Sequence, residues 1–392
     1  MALSAGTRRT VACLLVGLGA LLIVAALMIP TYTVDKLAKT PLDIEITTIA
    51  TNQPGEDSLV LDAKSLTSPE GAAKVDSNVP LVSQRFLTVE DPADATEMTV
   101  QAGQTLRRID KQGDTGLLTA TIDRVTIDRK TGMPVDKDPN GSIAVTTTKE
   151  GESIAEPVQH TGLQYRFPIG TEQKSYPYFD ITARKTFDVN FVEETEINNM
   201  KVYHFQQSVP ATNLWEVAQA PTNRLSLPAA KWGVEGGEGD EAPVTLTRFY
   251  TNTRDLWVEP ETGTVIKGGE QIHLYYARTG DKPEVTALKS HLVFDENTIE
   301  SQIAVAKENI DKLSLYGRIM PIVFGVLGVV ALIAGVLLGV RGGSAPTRAR
   351  AGGAPSQRPS GSAPTRGASN RPPANRGADD APTEQIRIDK QP

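Results

Sequence analysis

Two runs of this chain are apolar almost without interruption. They are "VACLLVGLGALLIVAALMIP" (Val11–Pro30) and "IMPIVFGVLGVVALIAGVLLGV" (Ile319–Val340). Each matches the roughly 20 residues that an α-helix needs to cross a hydrocarbon core. Neither contains a charge, so neither offers an intramembrane ion or proton site. Between them the pattern changes to short β-branched runs such as "LLTATIDRVTID", "MKVYHFQQSV" and "GTVIKGGEQIHLYYA", separated by Pro, Gly, Asn and Asp. Many alternate with the period of two expected of half-buried strands. The expected fold is therefore mainly β: a large antiparallel domain between two transmembrane helices, with irregular segments near residues 64–95 and 211–243.

A third periodicity precedes the second run. In "DENTIESQIAVAKENIDKLSLYG", Ile299, Ile303, Ala306, Ile310 and Leu313 recur on one helical face. Asn297, with Glu300 three residues on, has capping-box spacing. Gly317 and Pro321 are placed to loosen or kink the passage into the membrane. The expected order is a cytoplasmic N-terminus at 1–10 and a first transmembrane helix at 11–30. A β-rich extracytoplasmic domain follows at 31–296, then a juxtamembrane helix at 297–318, a second transmembrane helix at 319–340 and a disordered basic tail at 341–392. The first run is read as a retained anchor, because its small-residue step Val24-Ala25-Ala26 lies inside the apolar stretch rather than after it.

Charge sets the orientation. Arg8 and Arg9 precede the first run, and Arg341, Arg348 and Arg350 follow the second, so both termini read as cytoplasmic in a two-pass plasma-membrane protein. The chain carries 40 Lys+Arg against 47 Asp+Glu. The acidic excess lies between the two runs, which excludes nucleic acid as a partner there. Cys13 is the one cysteine and sits in the first apolar run, so the β region has no disulfide and no thiolate. The tail has too few large apolar residues to offset the entropy of ordering. Within it, Thr383 in "DDAPTEQI" is a candidate phosphorylation site for a cytoplasmic kinase, and phosphothreonine there suits a forkhead-associated domain. Gly335 and Gly339 form a small-xxx-small pair, a candidate contact with the first apolar helix, whose Gly17 and Gly19 also permit close approach.

Catalytic signatures do not appear. The chain has no G-x-S-x-G elbow, no H-E-x-x-H, no phosphate-cradling loop and no dinucleotide fingerprint. His160, His204, His273 and His291 are far apart in sequence and read as structural, so no metal or cofactor is expected. "VTIDRKTGMPVD" and "LWVEPETGTVIKGG" share an acidic residue before a Thr-Gly step; both read as hairpin corners rather than as acid-base carboxylates at Asp128 and Glu259. An enzyme is not expected. If one existed, Asp128, Glu259 and Asp180 would have to converge in a cleft. Tyr176, Tyr178 and Phe179 in "KSYPYFD" read as an aromatic core cluster, with a ligand pocket as the other assignment.

Taken in order, "AKTPLDIEITT", "VTIDRKTGMPVD", "GLQYRFPIGTEQKSYPYFDITARKTFDVNFVEETEINNMKVYHF" and "RDLWVEPETGTVIKGGEQ" resemble the actinobacterial two-pass envelope proteins labelled "porin PorA family". The resemblance covers nearly everything before the tail, and the block around "FPIGTEQKSYPYFD" carries most of its specificity. It implies work in a mycolate-type cell envelope, and connections of the family with lipoglycan assembly or export lead to an expectation of membrane lipid or lipoglycan binding. A single helix pair encloses no water-filled pore, and the chain lacks the repeated lipid-facing strands of an outer-membrane barrel, so a porin-like channel component stands as an alternative. A scaffold that recruits envelope machinery through its tail is another.

Overall fold

The computed structural model describes residues 4–33, 38–146, 153–236 and 239–341, all within one unit, Met1–Gly342. Its strands are β1 (Glu45–Asn52), β2 (Leu59–Leu61), β3 (Val75–Asp76), β4 (Leu81–Ala93), β5 (Glu97–Arg108), β6 (Leu117–Asp128), β7 (Gly141–Thr146) and β8 (Ser153–Val158). After an irregular connection come β9 (Tyr176–Asp180), β10 (Lys185–Ile197), β11 (Met200–Asn213), β12 (Arg224–Pro228), β13 (Pro243–Glu259), β14 (Thr264–Ala277) and β15 (Val285–Phe294). They form one 15-stranded sheet, ordered β8-β7-β6-β5-β4-β1-β15-β14-β13-β11-β10-β9, with β12 on β13 and β2 joining β15 to β3. All the strand pairings are antiparallel, as the alternating pattern predicts. Sheet and apolar helices thus agree with the expected fold class.

The sheet does not stay open. Its first and last strands come together through side chains: Ile143 on β7 and Val158 on β8 pack against Phe179 on β9. Arg184 Nη1, in the turn after β9, donates to Glu156 Oε2 on β8 at 2.5 Å. Leu163, between β8 and β9, makes a parallel bridge to Tyr178. Curling in this way shields the two edges that a flat sheet would expose. It also creates an inside and an outside, so alternate residues of one strand meet different environments. The inside is layered. An apolar group of Val60, Leu81, Leu106, Val209, Leu214, Leu274, Leu288 and Leu292 fills one level. Met98, Val100, Val125 and Ile127 fill another beside the first half of the sheet. Phe167, Tyr176, Phe205, Leu256 and Val258 do so beside the second half.

One expectation fails here. Residues 81–93, read as irregular, form the 13-residue strand β4 in the middle of the sheet. The inward residues Ser83, Arg85 and Leu87 line a polar interior, while the outward Phe86 is 45% exposed. Hydrophobic alternation is erased when the enclosed face is itself polar.

Three longer helices complete the unit: α1 (Ala5–Met28), α2 (Glu296–Ser314) and α3 (Met320–Arg341). Helix α2 lays Ile299, Ile303 and Ala306 on Met200, Val202 and Ile266, and Gln302 Nε2 donates to Val265 O at 3.0 Å. Its cap is Asp295 rather than Asn297. Asp295 has extended dihedrals, φ −71° and ψ 163°, and its Oδ1 accepts from Thr298 N at 2.8 Å. Asp295 N–H also donates to Ile49 O at 3.0 Å, so strand pairing ends at that residue and the helix starts there. Pro321 does not break the helix. The wide turn Leu315–Ile319, in which Met320 N–H reaches back to Leu315 O, absorbs the passage into α3.

Helices α1 and α3 pack on each other through small residues. A Cβ on Gly19 would lie 2.7 Å from Gly328 O, one on Gly328 2.9 Å from Gly19 O, and one on Gly335 3.0 Å from Ala12 O. Their backbones therefore touch, which only residues without bulk allow. Gly335 is buried in this seam, whereas Gly339 meets only the Ala12 Cβ, at 3.8 Å, and Gly17 meets nothing within 4 Å. The seam repeats about every two turns rather than every one, following the period of packed antiparallel helices. Spacing within a single turn selects Gly339 and passes over Gly328.

Candidate functional site: a charged cavity inside the curled sheet

A cavity of about 470 Å³ occupies the inside of the curl. Its walls are built by alternation: Ile46, Thr48 and Ala50 from β1, Ser83 and Arg85 from β4, Ala102, Gln104 and Leu106 from β5, and Thr119, Thr121 and Asp123 from β6. From the other half come Arg248, Tyr250, Arg254 and Leu256 of β13 and Glu270, Ile272 and Leu274 of β14. The segment after β11, with Leu214, Val217 and Pro221–Asn223, closes one end. The segment is folded on itself by Asn223 Nδ2, which donates to Ala218 O at 2.9 Å and Leu214 O at 3.2 Å, and is tied to β14 by the Tyr276 hydroxyl, which donates to Thr222 O at 2.7 Å.

Charged and hydrogen-bonding groups form a girdle around this interior. Arg254 is its hub. Its Nη2 donates to Asp180 Oδ2 at 2.9 Å and its Nε to Glu270 Oε1 at 2.8 Å, while Nη1 donates to Gln207 Oε1. Asp180, with 0% of its side chain exposed, also accepts from Tyr250 Oη at 3.0 Å and from Ala183 N at 2.8 Å. Each acceptor of this buried carboxylate is thereby satisfied, which is what makes a charge tolerable there. Burial pushes the Glu270 carboxyl up, but the guanidinium groups of Arg254 and Arg85 outweigh it and hold it below the usual carboxylate range. The Tyr250 hydroxyl is raised by burial and by the Asp180 carboxylate.

Across the cavity, Asp123 Oδ1 lies 2.9 Å from His160 Nε2, and Asp123 Oδ2 accepts from Gln164 Nε2 at 2.9 Å and from the Tyr165 hydroxyl. Burial and the Asp123 charge raise the Tyr165 hydroxyl, so it stays a donor. Arg85 is held by Gln104, donating through Nε and Nη2 to Oε1 at 3.2 and 3.1 Å. The chemistry this permits is the passage or holding of small hydrated solutes, with positive and negative groups both within reach.

The residues singled out from sequence fall in different places. Asp128 and Glu259 are corners. Asp128 Oδ1 accepts from Thr131 N at 2.7 Å and Lys130 N at 3.0 Å; Glu259 accepts from Glu261 N and Thr262 N, both at 2.8 Å. The second hairpin needs its glycine, because Gly263 has φ +72° and lies against Phe167 O. Asp180 belongs to the girdle and shares no hydrogen-bond partner with either corner carboxylate among the described residues. His160 sits in the girdle. His204 stacks on Trp257, 4.5 Å between ring centroids, with Asp255 Oδ1 at 2.8 Å. His273 and His291 border a separate cleft of about 540 Å³, where His291 Nδ1 lies 2.9 Å from Glu56 Oε1. Among the described residues, no group of three His, Cys, Asp or Glu is placed to hold a metal ion. Tyr178 faces the cavity while Tyr176 and Phe167 pack the core behind it. Thr383 lies outside the described residues. Arg85, Arg248, Arg254 and Glu270 were not singled out from the sequence; a charged residue at an otherwise apolar-facing strand position is the signal that marks them.

This architecture has known relatives. The family model described as Porin PorA matches residues 11–337, from the first apolar helix to the second. The chain belongs to the Porin PorA family. A protein from Corynebacterium amycolatum named Porin PorA is 32% identical over 385 residues, covering 84% of this chain and 98% of its own length. Another of that name, from Corynebacterium resistens, is 32% identical over 405 residues, covering 85% of this chain and 97% of its own length. These names overturn the expectation of lipid or lipoglycan binding. Both relatives are named as porins over nearly their whole length, and the physical objection fails as well: a single helix pair encloses no pore, but it does not prevent several copies from doing so. With α1 and α3 long and apolar enough to cross a membrane, the family and the helices together point to a membrane protein.

Proposed function

We propose that this chain is a subunit of a membrane channel for small hydrophilic solutes, with the curled sheet as a vestibule. The carrying observation is the end-to-end likeness to proteins named porins, joined to a cavity of about 470 Å³ whose walls carry charged side chains. Apolar walls would suit neither ions nor hydrated solutes; a wall of paired arginines and carboxylates substitutes for part of a solute's hydration shell. The contact of Gly19 with Gly328 leaves no water column between α1 and α3 of one chain. A crossing through the bilayer therefore needs several copies, which meet one another through the faces of α1 and α3 that carry Leu14, Leu18, Leu21, Val326, Leu337 and Val340, all exposed in the single chain.

In this reading α1 and α3 cross the plasma membrane, the arginines at residues 8, 9 and 341 stay on the cytoplasmic side and the sheet stands outside. The chain carries solutes rather than transforming them. The test is reconstitution of the detergent-purified full chain into planar lipid bilayers. Discrete conductance steps are expected, with oligomers in the same preparation by cross-linking. A protein that inserts, cross-links to itself and gives no steps at any applied voltage overturns the reading.

A further inference from the structure

Every carboxylate lining the cavity is matched. Asp123 faces His160 at 2.9 Å, Glu156 faces Arg184 at 2.5 Å, and Glu270 faces Arg254 at 2.8 Å. The arginines are not all matched. Among the described residues Arg85 hydrogen-bonds the neutral Gln104 and makes no salt bridge, although its charge also acts on Glu270. Arg248 makes neither a hydrogen bond nor an ion pair among the described residues, and its Nε is shut away from solvent with no acceptor. It lines the cavity beside the closing segment. Its cross-strand neighbour is Tyr276, whose hydroxyl donates to Thr222 O at 2.7 Å.

A guanidinium nitrogen shut from water without an acceptor is costly, and an oxyanion that accepts from it removes that cost. The planar donor fork of arginine suits the two oxygens of a carboxylate or a phosphate. Thr222 and Asn223 stand in the same wall, offering further polar groups. From this geometry we infer that the cavity contains a binding site for a small oxyanion, of the carboxylate or phosphate class, at Arg248 under the 214–223 segment. Arg85, on β4 in the other half of the curl, makes no salt bridge among the described residues and adds to the positive potential inside the cavity. The site rests on the vestibule reading for its biological use, but the binding itself requires no conduction.

Isothermal titration of the full chain in detergent tests the site, with inorganic phosphate in one series and succinate in another. At least one of the two is expected to bind saturably. Arg248→Gln is expected to weaken that binding at least tenfold and Arg85→Gln by a smaller factor, while Lys282→Gln, at an exposed turn away from the cavity, leaves it unchanged. The series that binds identifies the phosphate or the carboxylate as the source. Without added anion, Arg248→Gln is expected to melt at or above the parent temperature, because a side-chain nitrogen buried without an acceptor has gone. That melting curve also shows that the variant folds. The site is overturned if neither anion binds saturably, or if Arg248→Gln binds as the parent does. Loss of conductance steps with binding intact refutes the channel and leaves the site standing; the converse refutes the site alone.

Discussion

Arg254 donates to Asp180 at 2.9 Å and, through a different nitrogen, to Glu270 at 2.8 Å. One guanidinium thus joins β9 to β14 through the interior of the curled sheet, although β13, β11 and β10 separate them in strand order. Removing one member leaves the others charged in a site with little water. Arg254→Ala is expected to destabilise the sheet by about 3–5 kcal/mol, the usual loss when a buried pair is broken from one side. Urea denaturation followed by tryptophan fluorescence measures it; a loss below about 1 kcal/mol would show that the girdle is solvated.

Acid should weaken the same girdle. The Glu270 carboxyl, whose ordinary value is 4.5, is raised by burial but lowered on balance by Arg254 and Arg85. A carboxylate with a depressed folded-state pKa contributes stability above its unfolded value and loses it as the pH falls through the folded one. Melting temperature is therefore expected to drop below about pH 4.5, and Glu270→Gln to flatten that drop, with parent and variant compared from about pH 6 to pH 3. Parallel curves would remove Glu270 from the account.

The helix seam discriminates between glycines. Gly19→Val and Gly328→Val push a side chain against the facing backbone, at 2.7 Å and 2.9 Å from the opposing carbonyl oxygens. Each is expected to cost about 1–3 kcal/mol of helix association, as overpacking does. Gly17→Val is expected to be silent, since nothing lies within 4 Å of it. Disulfide trapping between α1 and α3, with cysteines placed along the seam, reads the difference.

Capping separates Asp295 from Asn297. Asp295→Ala is expected to lower stability by about 1 kcal/mol, and Asn297→Ala by a few tenths, because only Asp295 holds the Thr298 N–H. Thermal melting monitored by circular dichroism distinguishes them, and equal losses would restore Asn297 as the cap.

Much of the architecture is legible in the chain. The apolar runs announce α1 and α3, and alternation announces β6, β11 and β14, because charge-free length and period two are direct consequences of what each surface meets. The corner role of Asp128 and Glu259 was readable too, since Thr-Gly between strand formers leaves the acid its own turn to hold. β4 was not, because its enclosed face carries Ser83 and Arg85 beside Leu87, and polarity inside the curl cancels the usual contrast. The girdle was hidden for a related reason. Asp180, Arg254 and Glu270 are distant in sequence, and only the strand order brings them together. The cap moved by two residues because the end of β15 decides where the helix starts, a tertiary fact that local spacing does not carry.

The vestibule claim is tested most directly by blocking current from inside it. Cys13 is the chain's single cysteine, so Cys13→Ser gives a silent background for Thr121→Cys and Ile122→Cys, neighbours on β6. Thr121 lines the cavity, whereas Ile122 is 42% exposed on the outer face. A charged methanethiosulfonate reagent added to channels in a planar bilayer is expected to reduce the current through Thr121→Cys and to leave Ile122→Cys unchanged. Equal effects on the two, or a modified Thr121→Cys that conducts as before, would contradict conduction through the curled sheet.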